Sequence, residues 1–351
     1  MNLIRSSYAT RTQTCLAVLA MGFFTACGGG GGGSTPIPAP TVTDVYVTYS
    51  ESNGTHYIAK VWKNGVTTSL TDGSNNADSY GMGMSGSDLY IAGDEQNGTN
   101  YVAKVWKNGI ATSLTDGSHS AIALAVGLSG SDVYVVGGES NGTNYVAKVW
   151  KNGVATSLTD GTKTARTNSL AISGSDVYVV GYENNGTTRV AKVWKNGVAT
   201  SLTDGTHNAV ATGVGLSGSD VYVAGFESNG TNNVAKVWKN GVGTSLTDGT
   251  KAATTDSLSV SGNDVYVAGE EYNGTKYVAK VWKNGVATSL TDGTKDAHCY
   301  RVGLSGSDVY AVGDESNGTQ YVAKVWKNGV ATSLTDGTKG AYAWSVLINV
   351  H

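Results

Sequence analysis

Proline is almost missing from this chain. There are 3 in 351 residues, Pro36, Pro38 and Pro40, and none follows. Cysteine is as scarce, at 3: Cys15, Cys27 and Cys299. With one cysteine beyond residue 27, no disulfide framework can hold the body of the chain, and Cys299 is a small buried residue or a free thiol. Charged residues make up 15%, against roughly 25% in an average soluble protein. The formal net charge is −3, which counts against a nucleic-acid partner, because such a binding surface is basic. Chemical signatures are missing too. The five histidines have no metal-ligand spacing, and there is no Gly-x-Ser-x-Gly elbow and no phosphate-cradling loop. The recurrent Asp-Gly-Thr segments lack the alternating carboxylates of a calcium loop, so Asp160 and its copies are expected to form turns. No enzyme, metal or cofactor is expected. Glycine is what abounds, at 49 residues without a Gly-X-Y period, which excludes collagen.

Residues 1–26 carry Arg5, Arg11 and no acid, followed by an apolar run from Cys15 to Ala26. That run is too short for a bilayer and suits a signal-peptide core. It ends Phe24-Thr25-Ala26-Cys27, which resembles the lipobox of bacterial lipoproteins. The resemblance implies that Cys27 becomes the lipidated first residue. An ordinary secretory signal cut near Ala26 is the other reading. Gly28–Gly33 and the Pro-x-Pro-x-Pro stretch then read as a flexible and stiffened tether over residues 27–42. Gly28 rather than Asp after the cysteine resembles the enterobacterial pattern for the outer membrane. The expected address is the cell envelope, with the membrane touched only through the lipid.

Self-similarity governs residues 43–351. Tryptophans stand at 62, 106, 150, 194, 238, 282 and 326, each inside Trp-Lys-Asn-Gly, with a strict period and no insertions. One unit parses into four strands: a near Ala123–Ser129, b near Asp132–Gly137, c near Tyr145–Lys151 and d near Val154–Thr159. Asn141-Gly142 and Asn152-Gly153 read as tight hairpin turns that need positive φ. Three hairpins and one longer d-to-a connection per unit predict an all-β chain, a seven-bladed β-propeller of four-stranded antiparallel blades. The chain enters at strand b (Asp44-Val45-Tyr46-Val47) and leaves at strand a (Trp344 to Asn349). Closure is therefore expected from the C-terminal strand a pairing with the N-terminal strands b to d, with strands a lining the channel. The period matches WD-type propellers, but their Trp-Asp and Gly-His dipeptides do not occur. The chain resembles highly repetitive bacterial propeller lipoproteins, which implies architecture alone.

Seven copies of one unit expose their own differences. The c–d turn is constant, and the a–b turn nearly so. Variation gathers on the other rim, at the start of strand a, the end of strand b and the entry to strand c. With simple alternation, the first and third variable residues of strand a share a face with the recurrent Val or Leu. They include Tyr342, Asp78, Arg166 and His298 at the first position, and Trp344, Tyr80, Asn168, Asp256 and Tyr300 at the third. Tyr182 and Phe226 mark the end of strand b. Tyr300, Trp344, Tyr342 and Tyr80 are expected to form an aromatic crescent at the channel mouth, with Arg166 and Asn168 across from it. Aromatic faces with polar tips suit sugar rings or peptide side chains. Arg301 breaks a site that is otherwise Gly, Ser or Ala, and is expected to reach the channel. Adjacent His298 and Cys299 should diverge, which speaks against a Cys–His nucleophile. The Glu-x-Asn-Gly-Thr segments contain glycosylation acceptors but read as type I′ turns, and the lysine of Ala-Lys-Val-Trp is expected to hold its head in water.

These features predict a monomeric binding module that recognises a protein or glycan at the diversified rim. The alternatives are an envelope scaffold using the constant rim and, last, a propeller hydrolase or lyase.

Overall fold

The computed structural model describes residues 42–351. The expected signal peptide, Cys27 and the tether up to residue 41 lie outside the described residues. Within them, twenty-eight strands, β1 to β28 in chain order, form seven four-stranded antiparallel sheets, and no helix is long and apolar enough to cross a membrane. In blade 3, β8 (Ala121–Ser129), β9 (Asp132–Ser140), β10 (Tyr145–Lys151) and β11 (Val154–Ser157) run from the centre outward as strands a to d. Strand d stops at Ser157, two residues short of expectation, because Leu158 already turns back: its N–H donates to the Ala147 carbonyl at 2.8 Å.

Blade 1 closes the ring as predicted. Its sheet order is β28 (Ala341–Val350), β1 (Thr43–Ser52), β2 (Tyr57–Lys63), β3 (Val66–Ser69). Val42 and His351 exchange backbone hydrogen bonds of 2.7 and 2.9 Å. Inner strands of blades 4 to 7 and 1 line a central channel of about 250 Å³. Each recurrent tryptophan joins two blades: buried Trp150 packs with Val126 and Val135 of its own blade and Ala92 and Ala103 of the preceding one. One small sheet exposes two apolar faces, and the ring covers them all.

The constant rim is one bonded unit. Asn152 sits at φ 51° and Gly153 at φ 83°, the left-handed pair that a type I′ turn requires. The Asn152 side chain accepts from Val133 N–H at 2.8 Å and donates to Asp132 at 2.8 Å, while Lys151 pairs with Asp132 at 2.8 Å. Trp-Lys-Asn-Gly and Ser-Gly-Ser-Asp thus hold each other. Asn152→Ala combines a left-handed alanine with a lost hydrogen bond to Val133 N–H, and is expected to cost about 2 kcal/mol in a denaturant melt. The same change at exposed Thr143 should cost almost nothing.

Two expectations fail at the opposite rim. Asn141 does not have positive φ, and only Gly142 does, at 94°. The turn runs over four residues, so the Asn141 side chain stands in for backbone: it accepts from Thr143 and Asn144 N–H at 3.0 and 2.8 Å. Its Nδ2 donates to the Gly161 carbonyl at 3.0 Å, so the glycan-acceptor atom is already committed. The lysine head is also not in water. Lys148 pairs with Glu139 at 2.5 Å, with side chains 19% and 20% exposed, because the acid of each Glu-x-Asn-Gly-Thr segment stands on the neighbouring strand. Asp160 forms its turn as expected, accepting from Thr162 N–H and Oγ1 at 2.9 and 2.7 Å.

Candidate functional site at the channel mouth

Every strand a carries a β-bulge at its third variable position. In blade 4, with strand a β12 (Ala165–Ser173), Thr167 pairs with Gly181 and Ser169 with Val180, so Asn168 has no partner. The same skip leaves Leu124, Thr212, Asp256, Tyr300 and Trp344 unpaired in their blades. This overturns the shared face expected from alternation. Past the bulge the faces exchange, so Val126 packs with Ala121 and Ala123 rather than with Ile122 and Leu124. The extra residue frees the first and third side chains from the blade faces, as bulges beside binding sites do.

The bulges open on a cavity of about 440 Å³. Of the residues singled out from sequence, Tyr80, Arg166, Asn168, Tyr182, Phe226, Asp256, Tyr300 and Trp344 line it; Tyr342, His298 and Asp78 do not. Arg301 lines both the cavity and the channel below, as expected. The aromatic crescent is present. The Trp344 ring lies 4.9 Å from Tyr300, 5.5 Å from Tyr80 and 5.8 Å from Tyr342. Trp344 Nε1 donates to Ser50 Oγ at 3.0 Å, which fixes the indole. Across the ring, Arg166 lies 4.3 Å over Tyr145, and Asn168 donates to the Ala211 carbonyl at 2.8 Å.

The three excluded residues stand behind the lining. Tyr342 extends the crescent outward to Tyr57 at 5.8 Å and Tyr321 at 5.6 Å. His298 stacks on Tyr300 at 5.9 Å and pairs through Nδ1 with Asp314 at 2.9 Å. Cys299 points the other way into a fully buried site, occupied in other blades by Ala, Ser or Thr. Much of the apparent diversity is pairwise: Asp314 lies opposite His298, Tyr182 opposite Arg166, Phe226 opposite Val210 and Glu270 opposite Thr254. Entry-to-strand-c residues serve the loops instead, as when Asn144 Nδ2 donates to the Thr162 carbonyl at 3.1 Å. Sequence reasoning missed Arg189, which also lines the cavity. The signal was there: arginine stands where most blades have Tyr, as at Tyr145 or Tyr277.

Asp78 and Asp256 were singled out, but not the burial that they share with other acids of this rim. Burial, then the neighbouring Glu270, pushes the Asp256 carboxyl well above the usual range. Burial raises Glu270, opposed by the hydrogen bond from Thr254. Burial raises Asp94, with the Asp78 charge adding to it, and also raises Asp78 and Asp314. For His298, burial alone would lower the pKa, but Asp314 outweighs it and the value rises. Protonated carboxyls here can donate or accept hydrogen bonds without presenting full charge. No group of His, Cys, Asp and Glu among the described residues could hold a metal ion.

These shifts set a pH profile. A buried acid with a raised pKa keeps a proton that the unfolded chain releases above its ordinary value near 4, so stability falls as pH rises through that window. His298, also raised, contributes stability that is complete below its ordinary 6.5 and lost as pH rises. Below about pH 4 the exposed turn aspartates such as Asp132 and Asp160, whose hydrogen bonds lower their pKa, act in the opposite sense. The melting temperature is expected to peak near pH 5 rather than at neutrality. Asp256→Asn should raise it at pH 7 and flatten the slope between pH 5 and 7, read by calorimetry.

No protein-family model matches the chain, and no curated protein does. Among solved structures it is similar to Pyrococcus horikoshii acylaminoacyl peptidase, with 11% identity, a TM-score of 0.53, and coverage of 84% of this chain and 51% of that one. The chain thus spans about half the length of the peptidase, and the likeness is one of fold alone. Two others are a putative TolB from Agrobacterium tumefaciens (9% identity, TM-score 0.40, 89% of this chain and 99% of that one) and TolB from Acinetobacter baumannii (13%, 0.45, 71% and 64%). At those scores neither carries an argument.

Proposed function

We propose that this chain is a cell-envelope recognition module that binds a protein or glycan at the channel mouth, anchored to the outer membrane by a lipid on Cys27. One observation carries the reading. Eight of the eleven residues that stood out by differing between otherwise near-identical blades gather on the wall of a single cavity of about 440 Å³, within the usual range of roughly 300–1,000 Å³ for small-ligand sites. The anchor rests on the lipobox resemblance and the tether composition.

A second reading, a scaffold using the constant rim, is favoured by a ring of exposed aliphatic side chains, among them Ile110 at 75% and Val154 at 71% exposure. Such rings suit protein contacts. A glycan array and a panel of envelope proteins separate the two. A bulky label at Ser131→Cys on the constant rim should leave binding intact, whereas Trp344→Ala should sharply weaken it. The reverse result would establish the scaffold and discard the mouth.

A further inference from the structure

Every arginine after residue 41 lines one cavity. Arg166, Arg189 and Arg301 all stand on the mouth, whereas the cations of the blades elsewhere are lysines. The difference in residue type has a physical meaning. Guanidinium is planar, stacks on aromatic faces and offers paired donors matched to a carboxylate, whereas ammonium is a hydrated point charge. The two lysines of every strand c are neutralised in place, as Lys148 is by Glu139 and Lys151 by Asp132. None of the three arginines forms an ion pair or donates a side-chain hydrogen bond to any described residue. Arg166 and Arg189 only lie over rings, at 4.3 Å from Tyr145 and 5.0 Å from Tyr182.

Arg301 is the sharpest departure. Its counterparts are Gly81, Ala125, Ser169, Gly213, Ser257 and Ser345. One blade in seven thus puts a guanidinium in the neck between mouth and channel. Partial burial without a partner disfavours a charge, and the fold offers small residues at the same position. A complementary anion from outside would remove that cost. The acids nearby do not supply it: Asp94 and Asp314 are buried, and Asp256, half-buried on the same wall, forms no ion pair with any arginine. Although the chain is net negative, three guanidinium groups face one carboxylate on this wall.

The anion must come with a ring. Tyr300 and Arg301 are consecutive, and the bulge presents Tyr300 beside Trp344 at 4.9 Å. A ligand reaching both needs a carboxylate on, or one bond from, a flat-faced ring. We propose that the mouth binds an acidic saccharide of the uronic acid type, its carboxylate held by Arg301 and its ring laid on Trp344 and Tyr300. This rests on the mouth being the binding site.

Calorimetric titration of the full chain with trigalacturonic acid, neutral galactotriose and a tripeptide with a free C-terminal carboxylate tests it. The acidic trisaccharide should bind, lose affinity with added salt, and weaken on the order of tenfold or more in Arg301→Ser. Serine is native to three sister blades, so that variant should keep or raise the melting temperature. Equal binding of the neutral sugar, indifferent to Arg301→Ser but lost in Trp344→Ala, would overturn the acidic class and leave the mouth standing. Preferential, Arg301-dependent binding of the tripeptide would overturn the saccharide. No binding of any probe would overturn the acidic saccharide, and a ligand from the wider panel that still depends on Trp344 would show that the mouth reading survives it.

Discussion

A chain ending at Gly340 is expected to show no cooperative thermal transition. The missing residues include all of β28, which pairs with β1 from Thr43 to Glu51 and completes blade 1. They take Ala341, Ala343 and Val346 out of a cluster that also holds Val47 and Tyr49 of blade 1 with Tyr310, Val312, Ala323 and Val325 of blade 7. Blade 7 would lose its covering face, and β1 would present a bare inner edge to solvent. Each neighbouring blade depends on the next for burial, so the damage spreads through the ring rather than stopping at one sheet. Near-ultraviolet dichroism and calorimetry should report a loosened or aggregated species. Residues 341–351 added as a separate peptide should restore part of the transition. Removing a comparable length of strand d would be mild, since β3 is exposed along all four residues. A truncated chain that still melts sharply near the original temperature would mean that the ring is held by something other than β28.

Trp344→Ala should weaken ligand binding by about two orders of magnitude while lowering the melting temperature by roughly 3–18 °C, short of unfolding the ring. Trp344 is partly buried, its contacts are with Tyr80, Tyr300 and Tyr342, and each such aromatic pair is worth about 0.5–1.5 kcal/mol. A fixed aromatic on the wall of a cavity is a usual place for binding energy to concentrate. In a domain of this size each kcal/mol shifts the melting temperature by about 2–4 °C. Trp344→Phe should recover most of the affinity, because it keeps a ring face while giving up the hydrogen bond to Ser50. The opposite pattern, a collapse in melting temperature with binding retained, would make Trp344 a core residue like Trp150.

The blade count, the closure and the crescent were legible because they depend on spacing, which survives folding unchanged. The bulge at Leu124 and its copies was not. Both faces of strand a are covered by neighbouring blades, and Ala121, Ala123 and Ala125 give no apolar–polar contrast from which a shift of face could be read. The two Asn-Gly turns look alike in sequence, yet Asn152 bears the left-handed conformation and Asn141 only its side-chain bonds, because the number of residues between paired strands differs. The Lys148–Glu139 pairing and the acidic cluster at Asp256 and Glu270 arise between strands, so nothing in the linear order announces them. Arg189 was within reach of the same reasoning that found Arg301, had the blade-by-blade comparison at the entry to strand c gone one residue beyond Thr188.

The closure between β1 and β28 also imposes a schedule. Ser50 and Trp344, joined by one hydrogen bond, are 294 residues apart. At the ribosomal pace of about 5–20 residues per second, roughly fifteen seconds to a minute separates their appearance. Throughout that interval β1 has no inner neighbour, while every later b strand follows its own a strand after a two-residue turn. The first strand of the ring to be made is thus the last to find its place, and it is the segment with most need of a chaperone during synthesis.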